Sequence, residues 1–440
     1  MDFLKYNRLH VNGFGSLHGT VTPPASKSSS TRALLAASLT SGISTIQNLS
    51  SSNNVRAMLD SCQNLGASIS SSVGGLTEVR GTAELNSRVT LCPGNSGIVL
   101  RLLMGATAIL PRVTFITPYA DSLGRRSNTE MIGALRSLGV ECATTRPDDR
   151  LPISLNGTAV HGGTVEISGR RSSQFLSGLL FLGALLDEPL TVSVTDEIRA
   201  LPMVSTTLNS LRTGGIVVET SDDLLSFHVP AGTRFKPARY TVGSDPASTA
   251  ALLAAAAAVD SDVRLEGVHI EEMDGVLEYL RAVGADIRAE GSTLIVHGGG
   301  ELRAADFDGL RAPDAVLPLA ALMARADGTT RFRNVEHLRY KECDRISDFR
   351  RELQRAGVAA DERRDELIIH GSRRVPDGGV EVDSHYDHGV VFAMSVLALA
   401  SGSGLTINNP QYVAQTYPAF FADLTRLGAA VTVPDARSDV

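Results

Sequence analysis

A chain of 440 residues with 41 Lys and Arg against 48 Asp and Glu, for a net charge of −7, has no global electrostatic basis for binding nucleic acid. Tryptophan is absent and aromatics make up 5% of the residues, so stacking platforms for single strands are not expected either. The most apolar runs, 175–186 and 247–259, are too short to cross a bilayer and read as buried helices, which argues against a membrane partner.

The length exceeds what one hydrophobic core serves well, so two domains are expected. Cys62, Cys92, Cys142 and Cys343 stand far apart and form no Cys-x-x-Cys pair. They read as reduced thiols of a cytoplasmic protein. Residues 1–5 lack the character of a signal peptide.

In chain order, residues 9–22 read as a strand, a turn and a second strand placed ahead of the repeats described below. Pro24-Ala25-Ser26-Lys27-Ser28-Ser29-Ser30-Thr31-Arg32 opens a helix that continues through 33–39. Serine hydroxyls, orphan N–H groups and the Lys27 cation at a helix start suit an anion, although an ordinary serine N-cap would look similar. The frame of a Walker loop is missing. Pro93-Gly94-Asn95-Ser96-Gly97 repeats the idea, with Arg101 on the helix that follows. Arg125 and Arg126 stand just before another helix, where a solvated charge pair is the plain alternative. Arg171-Ser172-Ser173-Gln174-Phe175 makes a third serine-rich helix entry, and three such entries would converge on one anion pocket.

In the second half, Asp314 precedes a helix over 315–323. The run Arg339-Tyr340-Lys341-Glu342-Cys343-Asp344-Arg345 alternates charge densely. On a helix surface it would pair at i,i+3, for example Lys341 with Asp344. Asp383-Ser384-His385-Tyr386-Asp387-His388-Gly389 has the composition of a metal cluster without the spacing of a zinc frame, so no metal is expected.

A longer periodicity organises these pieces. Helix-ending signatures recur at Leu65-Gly66-Ala67, Leu138-Gly139-Val140, Thr213-Gly214-Gly215, Val283-Gly284-Ala285, Ala356-Gly357-Val358 and Leu427-Gly428-Ala429, with glycine intervals of 73, 75, 70, 73 and 71 residues. Each glycine suits a left-handed C-cap after an amphipathic helix. A short strand is expected next, as at 216–218 or 431–433. Six copies of one α/β unit, three per domain, follow from the interval.

Taken together, these motifs resemble the enolpyruvyl transferase family, most closely its 5-enolpyruvylshikimate-3-phosphate (EPSP) synthases. The resemblance covers essentially the whole chain. It implies an α/β fold: a two-domain inside-out α/β barrel of six βαββαβ repeats. One domain would be discontinuous, 1–21 with 240–440, and the other, 22–239, inserted, with the active-site cleft between them. The family closes on shikimate 3-phosphate and phosphoenolpyruvate, both small anions, needs no cofactor or metal and is usually monomeric.

The resemblance also implies site roles. Lys27 matches a lysine lying between both substrates. Ser28 and Arg32 match residues that hold the ring acid, Ser172 and Ser173 its phosphate, and Gln174 a neighbouring hydrogen-bond donor. Lys341 matches another substrate contact. Asp314 matches the carboxylate near the ring 5-hydroxyl, and Glu342 a second acid–base group, so Lys27, Asp314 and Glu342 are the catalytic candidates. Arg126 and Arg345 match arginines of the phosphoenolpyruvate site, with Arg101 near it.

Several positions depart from the family pattern. Gly389 and Gln415 stand where the family has an arginine and a lysine that grip phosphoenolpyruvate. Arg126 is followed by Ser127 rather than proline, and Arg199, Pro202, Ile98 and His337 replace polar ring-acid contacts. Two lost charge-assisted contacts, at about 1.5–3 kcal/mol each, would weaken that substrate severely. The expectation drawn from this is a lyase that expels phosphate from shikimate 3-phosphate by 1,4-elimination, without phosphoenolpyruvate, with Asp314 or Glu342 as base. The alternatives are carboxyvinyl transfer from phosphoenolpyruvate, and a non-catalytic ligand-binding paralogue.

Overall fold

The computed structural model describes residues 2–71, 75–82 and 84–434. They form two compact units: 1–24 joined with 243–440, and 25–242.

Among the described residues each unit holds three four-stranded sheets, and all six share one pairing scheme. An edge strand lies parallel to its neighbour, and the next two pairings are antiparallel. In the inserted unit, for example, Arg88–Leu91 runs parallel to Arg112–Phe115, which pairs antiparallel with Arg150–Asn156, itself antiparallel to Glu141–Arg146. The buried helix Gly97–Ala106 makes the parallel crossover, a connection that parallel strands require.

Six helices occupy the insides of the two units: Lys27–Ser38, Gly97–Ala106 and Ser173–Gly183 in one, and Pro246–Ala258, Val316–Leu322 and His388–Leu399 in the other. Five of them are apolar nearly all round, as a helix in a core must be, whereas Lys27–Ser38 opens on six polar residues that are mostly buried as well. Residues 247–258 are buried throughout, and their alanines let neighbouring helices come close. The sheets lie outside and alternate between faces, as in Asp260–Leu265, where every second residue is buried. One close approach positions the site. A Cβ on Gly105 would fall 1.9 Å from the Gly178 carbonyl oxygen, and one on Gly178 would fall 2.4 Å from that of Arg101. Only glycine at both positions lets helices Gly97–Ala106 and Ser173–Gly183 meet backbone to backbone.

The N-terminal strands do not pair with each other. Arg8–Val11 joins Leu405–Asn408 and Val431–Thr432, whereas Ser16–Val21 lies parallel to Asp260–Leu265. Correspondingly, Arg239–Thr241 lies parallel to Ile43–Gln47 in the inserted unit. These two edge strands have exchanged their outgoing connections. Ser16–Val21 leads to helix Lys27–Ser38, and Arg239–Thr241 leads to Pro246–Ala258.

The repeat glycines adopt positive φ at Gly66, Gly139, Gly284, Gly357 and Gly428. In the third repeat the left-handed residue is Gly215, not Gly214, whose φ is −76°. Helix Leu201–Thr213 runs one residue further there, so Gly214 becomes the cap and Gly215 the turn. The strand expected over 216–218 is absent. The chain pairs only at Glu219–Thr220, because the Ile216 side chain is buried under the helix end while Val217 is exposed.

Candidate active site

In the inserted unit, three serines cap the three core helices. Ser26 Oγ accepts from Ser29 N at 3.2 Å, Ser96 Oγ from Val99 N at 3.4 Å and Ser172 Oγ from Gln174 N at 3.2 Å. Each hydroxyl spends a lone pair on its helix, which leaves its proton to donate to an anion. Lys27 and Ser28 occupy the first turn of their helix and are nearly buried. Arg32, one turn on, is fully buried. Its partners are all neutral: Thr207 Oγ1 at 2.7 Å, the Ser28 and Met203 carbonyls at 2.9 and 3.0 Å, and Ser177 Oγ at 3.5 Å. Burial pushes its guanidinium down to about 9. A buried cation without a carboxylate is costly unless an anion arrives to balance it. Ser177 also donates to the Ser173 carbonyl at 3.2 Å, which links Arg32 to the serine-rich entry.

Arg101 donates to Gln174 Oε1 at 2.7 Å and lies over the Phe175 ring at 4.7 Å. With its oxygen engaged, Gln174 presents its amino group as a donor. Arg126 completes this group, gathered around Gly97. A Cβ on Gly97 would come within 2.3 Å of Arg126 Nη1, 2.9 Å of Arg101 Nη1 and 3.3 Å of Gln174 Oε1. Gly97→Ala must therefore move both guanidinia. Its expected result is a KM for an anionic substrate raised about tenfold, with thermal stability changed little. Steady-state kinetics with each substrate varied in turn checks this.

In the discontinuous unit, Asp314, Lys341, Glu342 and Arg345 come together. Arg345 is buried and held by three carboxylates. Its Nε and Nη2 donate to Asp387 at 2.7 and 3.0 Å, Nη1 to Asp314 at 2.9 Å, and Nη2 also to Glu342 at 3.1 Å. Burial disfavours its charge, but Asp387, Glu342 and Asp314 outweigh burial and hold its pKa well above the ordinary arginine value. The pairing of Lys341 with Asp344 does not occur. Lys341 lies 3.9 Å from Asp314, and Asp344 serves Arg339 and the backbone N–H groups of Ile346 and Ser347. The helical turn Glu336–Tyr340 stops before Lys341, so the charge run never forms a helix surface and Arg345 turns inward.

Asp387 organises this cluster. Besides Arg345, it accepts from Gly389 N at 2.7 Å, capping helix His388–Leu399, and from Cys343 Sγ at 3.7 Å. In the sequence Asp387 stands within the run 383–389, whose composition resembles a metal cluster. An Asp directly before a long apolar helix was the capping signal that could have found it. Thr207 and Ser177, which hold Arg32, gave no comparable signal. Gly389 lies against the Arg345 guanidinium, since a Cβ there would be 3.5 Å from Arg345 Cζ. Gln415 donates to the Tyr386 carbonyl at 3.0 Å. Arg199 is buried, pairs with Glu197 at 2.7 Å and donates its N–H to the Gly169 carbonyl at 3.3 Å, whereas Pro202 is exposed. His337 and Ile98 are buried. Among the described residues, no group of His, Cys, Asp or Glu is placed to hold a metal ion, and no helix is long and apolar enough to cross a membrane.

His385 contacts Glu352 at 2.9 Å. Burial alone would lower its pKa, but Glu352, Asp348 and Asp383 more than offset it and raise the value above 6.5. Its stabilising contribution is full below the unfolded value and fades as pH rises through the raised one. His385→Gln should therefore lower the melting temperature clearly at pH 6 and little at pH 9, measured by thermal unfolding at both.

The model of the family "EPSP synthase (3-phosphoshikimate 1-carboxyvinyltransferase)" matches residues 11–424. The chain belongs to the EPSP synthase family. A 3-phosphoshikimate 1-carboxyvinyltransferase of Burkholderia pseudomallei is 48% identical over 98% of this chain and 96% of its own length. One of Deinococcus radiodurans is 40% identical over 96% and 95%. The solved EPSP synthase of Acinetobacter baumannii superposes with a TM-score of 0.78 at 25% identity, covering 97% of this chain and all of that one. The enolpyruvyl transferase NikO of Streptomyces tendae, at 18% identity and a TM-score of 0.78, shares the fold. The two-unit α/β fold with six small sheets is thus that of the EPSP synthase family.

These relatives overturn the expected phosphate elimination and its lyase assignment. Full-length relatives at 48% and 40% identity carry the transferase name. The expectation treated two neutral positions as decisive. A site built from several cations spreads an anion's charge over all of them, so losing two contacts weakens binding without dictating a different reaction.

Proposed function

We propose that this EPSP synthase family enzyme is a 3-phosphoshikimate 1-carboxyvinyltransferase, joining the carboxyvinyl group of phosphoenolpyruvate to the 5-hydroxyl of shikimate 3-phosphate. The observation that carries the reading is 48% identity across 98% of the chain to a relative of that name. The local chemistry supports it. In the inserted unit, Ser28, Arg32, Ser172, Ser173 and Gln174 offer hydroxyls, an amide and a cation suited to the ring acid's carboxylate and phosphate, and Arg101 and Arg126 offer guanidinia suited to phosphoenolpyruvate. In the discontinuous unit, Lys341 and Arg345 offer cations suited to anionic substrates, while Gly389 and Gln415 add no charge.

Asp314 and Glu342 supply the proton chemistry. The hydroxyl oxygen bonds to C2 of phosphoenolpyruvate as its C3 takes a proton, and the hydroxyl proton passes to a carboxylate. A C3 proton then leaves, the double bond re-forms, and the C2–O bond to phosphate breaks. Lys27 balances the anionic charge that accumulates between the two substrates. Both carboxylates touch Arg345, so proton transfer and phosphate stabilisation are coupled through one guanidinium. Incubation with both substrates should release phosphate together with a carboxyvinyl ether seen by mass spectrometry. Turnover that does not require phosphoenolpyruvate would overturn the reading.

A further inference from the structure

The geometry points to Gln415 as a positioning residue for Arg345 that acts through the backbone of Tyr386 and not by touching substrate. The inference rests on the use of phosphoenolpyruvate proposed above and goes beyond it. By the family resemblance a charged lysine belongs at 415, and a neutral carboxamide cannot replace its attraction for an anion. Yet Gln415 is 3% exposed, and its amino group donates to the Tyr386 carbonyl at 3.0 Å. Its Oε1 is buried with no hydrogen-bond partner among the described residues. Burying a carboxamide with one end unsatisfied is unfavourable, so the bond to Tyr386 is what the residue contributes.

That bond holds a turn that needs holding. His385 and Tyr386 have φ of +50° and +63°, left-handed conformations that residues with a Cβ rarely adopt. The next residue is Asp387, whose two oxygens orient Arg345. The turn is clamped on one side by His385 on Glu352, and on the other by Gln415 together with the Tyr386–Tyr412 ring contact. Release of the Gln415 clamp lets the Tyr386–Asp387 peptide relax, and the Asp387 carboxylate moves with it. Arg345 then loses its set. In a chain with glycine at 389, that guanidinium carries more of the anion's charge than it would beside a second arginine.

The test is steady-state kinetics of the full-length protein with each substrate varied in turn. Gln415→Met keeps length and burial but removes the donor. It should raise the KM for phosphoenolpyruvate about tenfold and leave that for shikimate 3-phosphate within about twofold. In an Asp387→Asn background, which retains the helix cap but loosens Arg345, the same change should add less than about twofold. Equal effects of Gln415→Met in both backgrounds, or an unchanged KM for phosphoenolpyruvate, would overturn the inference. Wild-type protein is measured first: lack of phosphoenolpyruvate-dependent turnover there removes the functional reading and this inference with it, whereas an active wild type with an indifferent Gln415→Met removes the inference alone. Should thermal unfolding find Gln415→Met misfolded, Gln415→Glu, which faces the carbonyl with an acceptor, takes its place with the same expected pattern.

Discussion

Replacing Arg32 with methionine is expected to make the ligand-free protein more stable while nearly abolishing turnover. The guanidinium is fully buried, and all its partners are neutral. Burial pushes its pKa from the ordinary arginine value down to about 9, a penalty of several kcal/mol on the charged form at neutral pH. Four hydrogen bonds offset that by about 1 kcal/mol each. Exchanging the buried charge and these bonds for an apolar side chain of similar length should leave the ligand-free fold more stable at neutral pH. The sign of the pH dependence follows. The folded pKa lies below the unfolded one, so the penalty is full below about 9 and fades as pH rises above that toward the unfolded arginine value. The advantage of Arg32→Met should therefore shrink between pH 7 and pH 10. Turnover should fall about 10²–10³-fold, because the cation that the anionic ring acid would balance is gone. Calorimetric melting at both pH values, with kinetics, checks both signs. A clear fall in melting temperature at pH 7 would refute the argument, since it would mean that the charge is already compensated within the fold.

The opposite result is expected at Asp387. Its carboxylate is fully buried, binds Arg345 at 2.7 and 3.0 Å and caps helix His388–Leu399 through Gly389 N at 2.7 Å. Asp387→Ala removes the main counter-charge of a buried guanidinium and the cap at once. Loss of the ion pair alone should cost about 3–5 kcal/mol, and the cap about 1 kcal/mol more. Asp387→Asn keeps an oxygen for the cap and should recover that smaller part. Both variants should lose most turnover, because Asp314 and Glu342 would then hold Arg345 without the carboxylate that fixes its plane. Urea unfolding of the two variants beside wild type separates the terms. Less than about 1 kcal/mol lost in Asp387→Ala would contradict the assignment.

The contrast between Arg32 and Arg345 also marks how far sequence reading reaches. Both stand in motifs dense with charge and hydroxyls, and both were legible as anion-site candidates. Nothing local distinguishes them, yet one lies among neutral groups and the other among three carboxylates. The partners decide that difference, and they come from distant positions: Thr207 is 175 residues from Arg32, and Asp387 is 42 from Arg345. The plain alternative at Lys341, a surface pair with Asp344, fails for the same reason. Treating 339–345 as helical placed its partner at Asp344, whereas the end of the short turn at Tyr340 let Asp314 take it.

Periodicity and end signals are properties of neighbouring residues, and they survive translation into structure. The interval of the helix-ending glycines, the serines before three helices and the all-round apolarity of 247–258 were enough for a repeated α/β architecture and for its serine-capped helix starts. Net electrostatics at a buried atom is not local in this way. It sums over side chains that only folding brings within a few ångströms, so the charge state of each arginine, the closeness of helices at Gly105 and Gly178, and the work of Asp387 became readable in three dimensions alone. The reaction itself was misjudged at Gly389 and Gln415 for this reason: residue types at two positions do not give the field of a whole site.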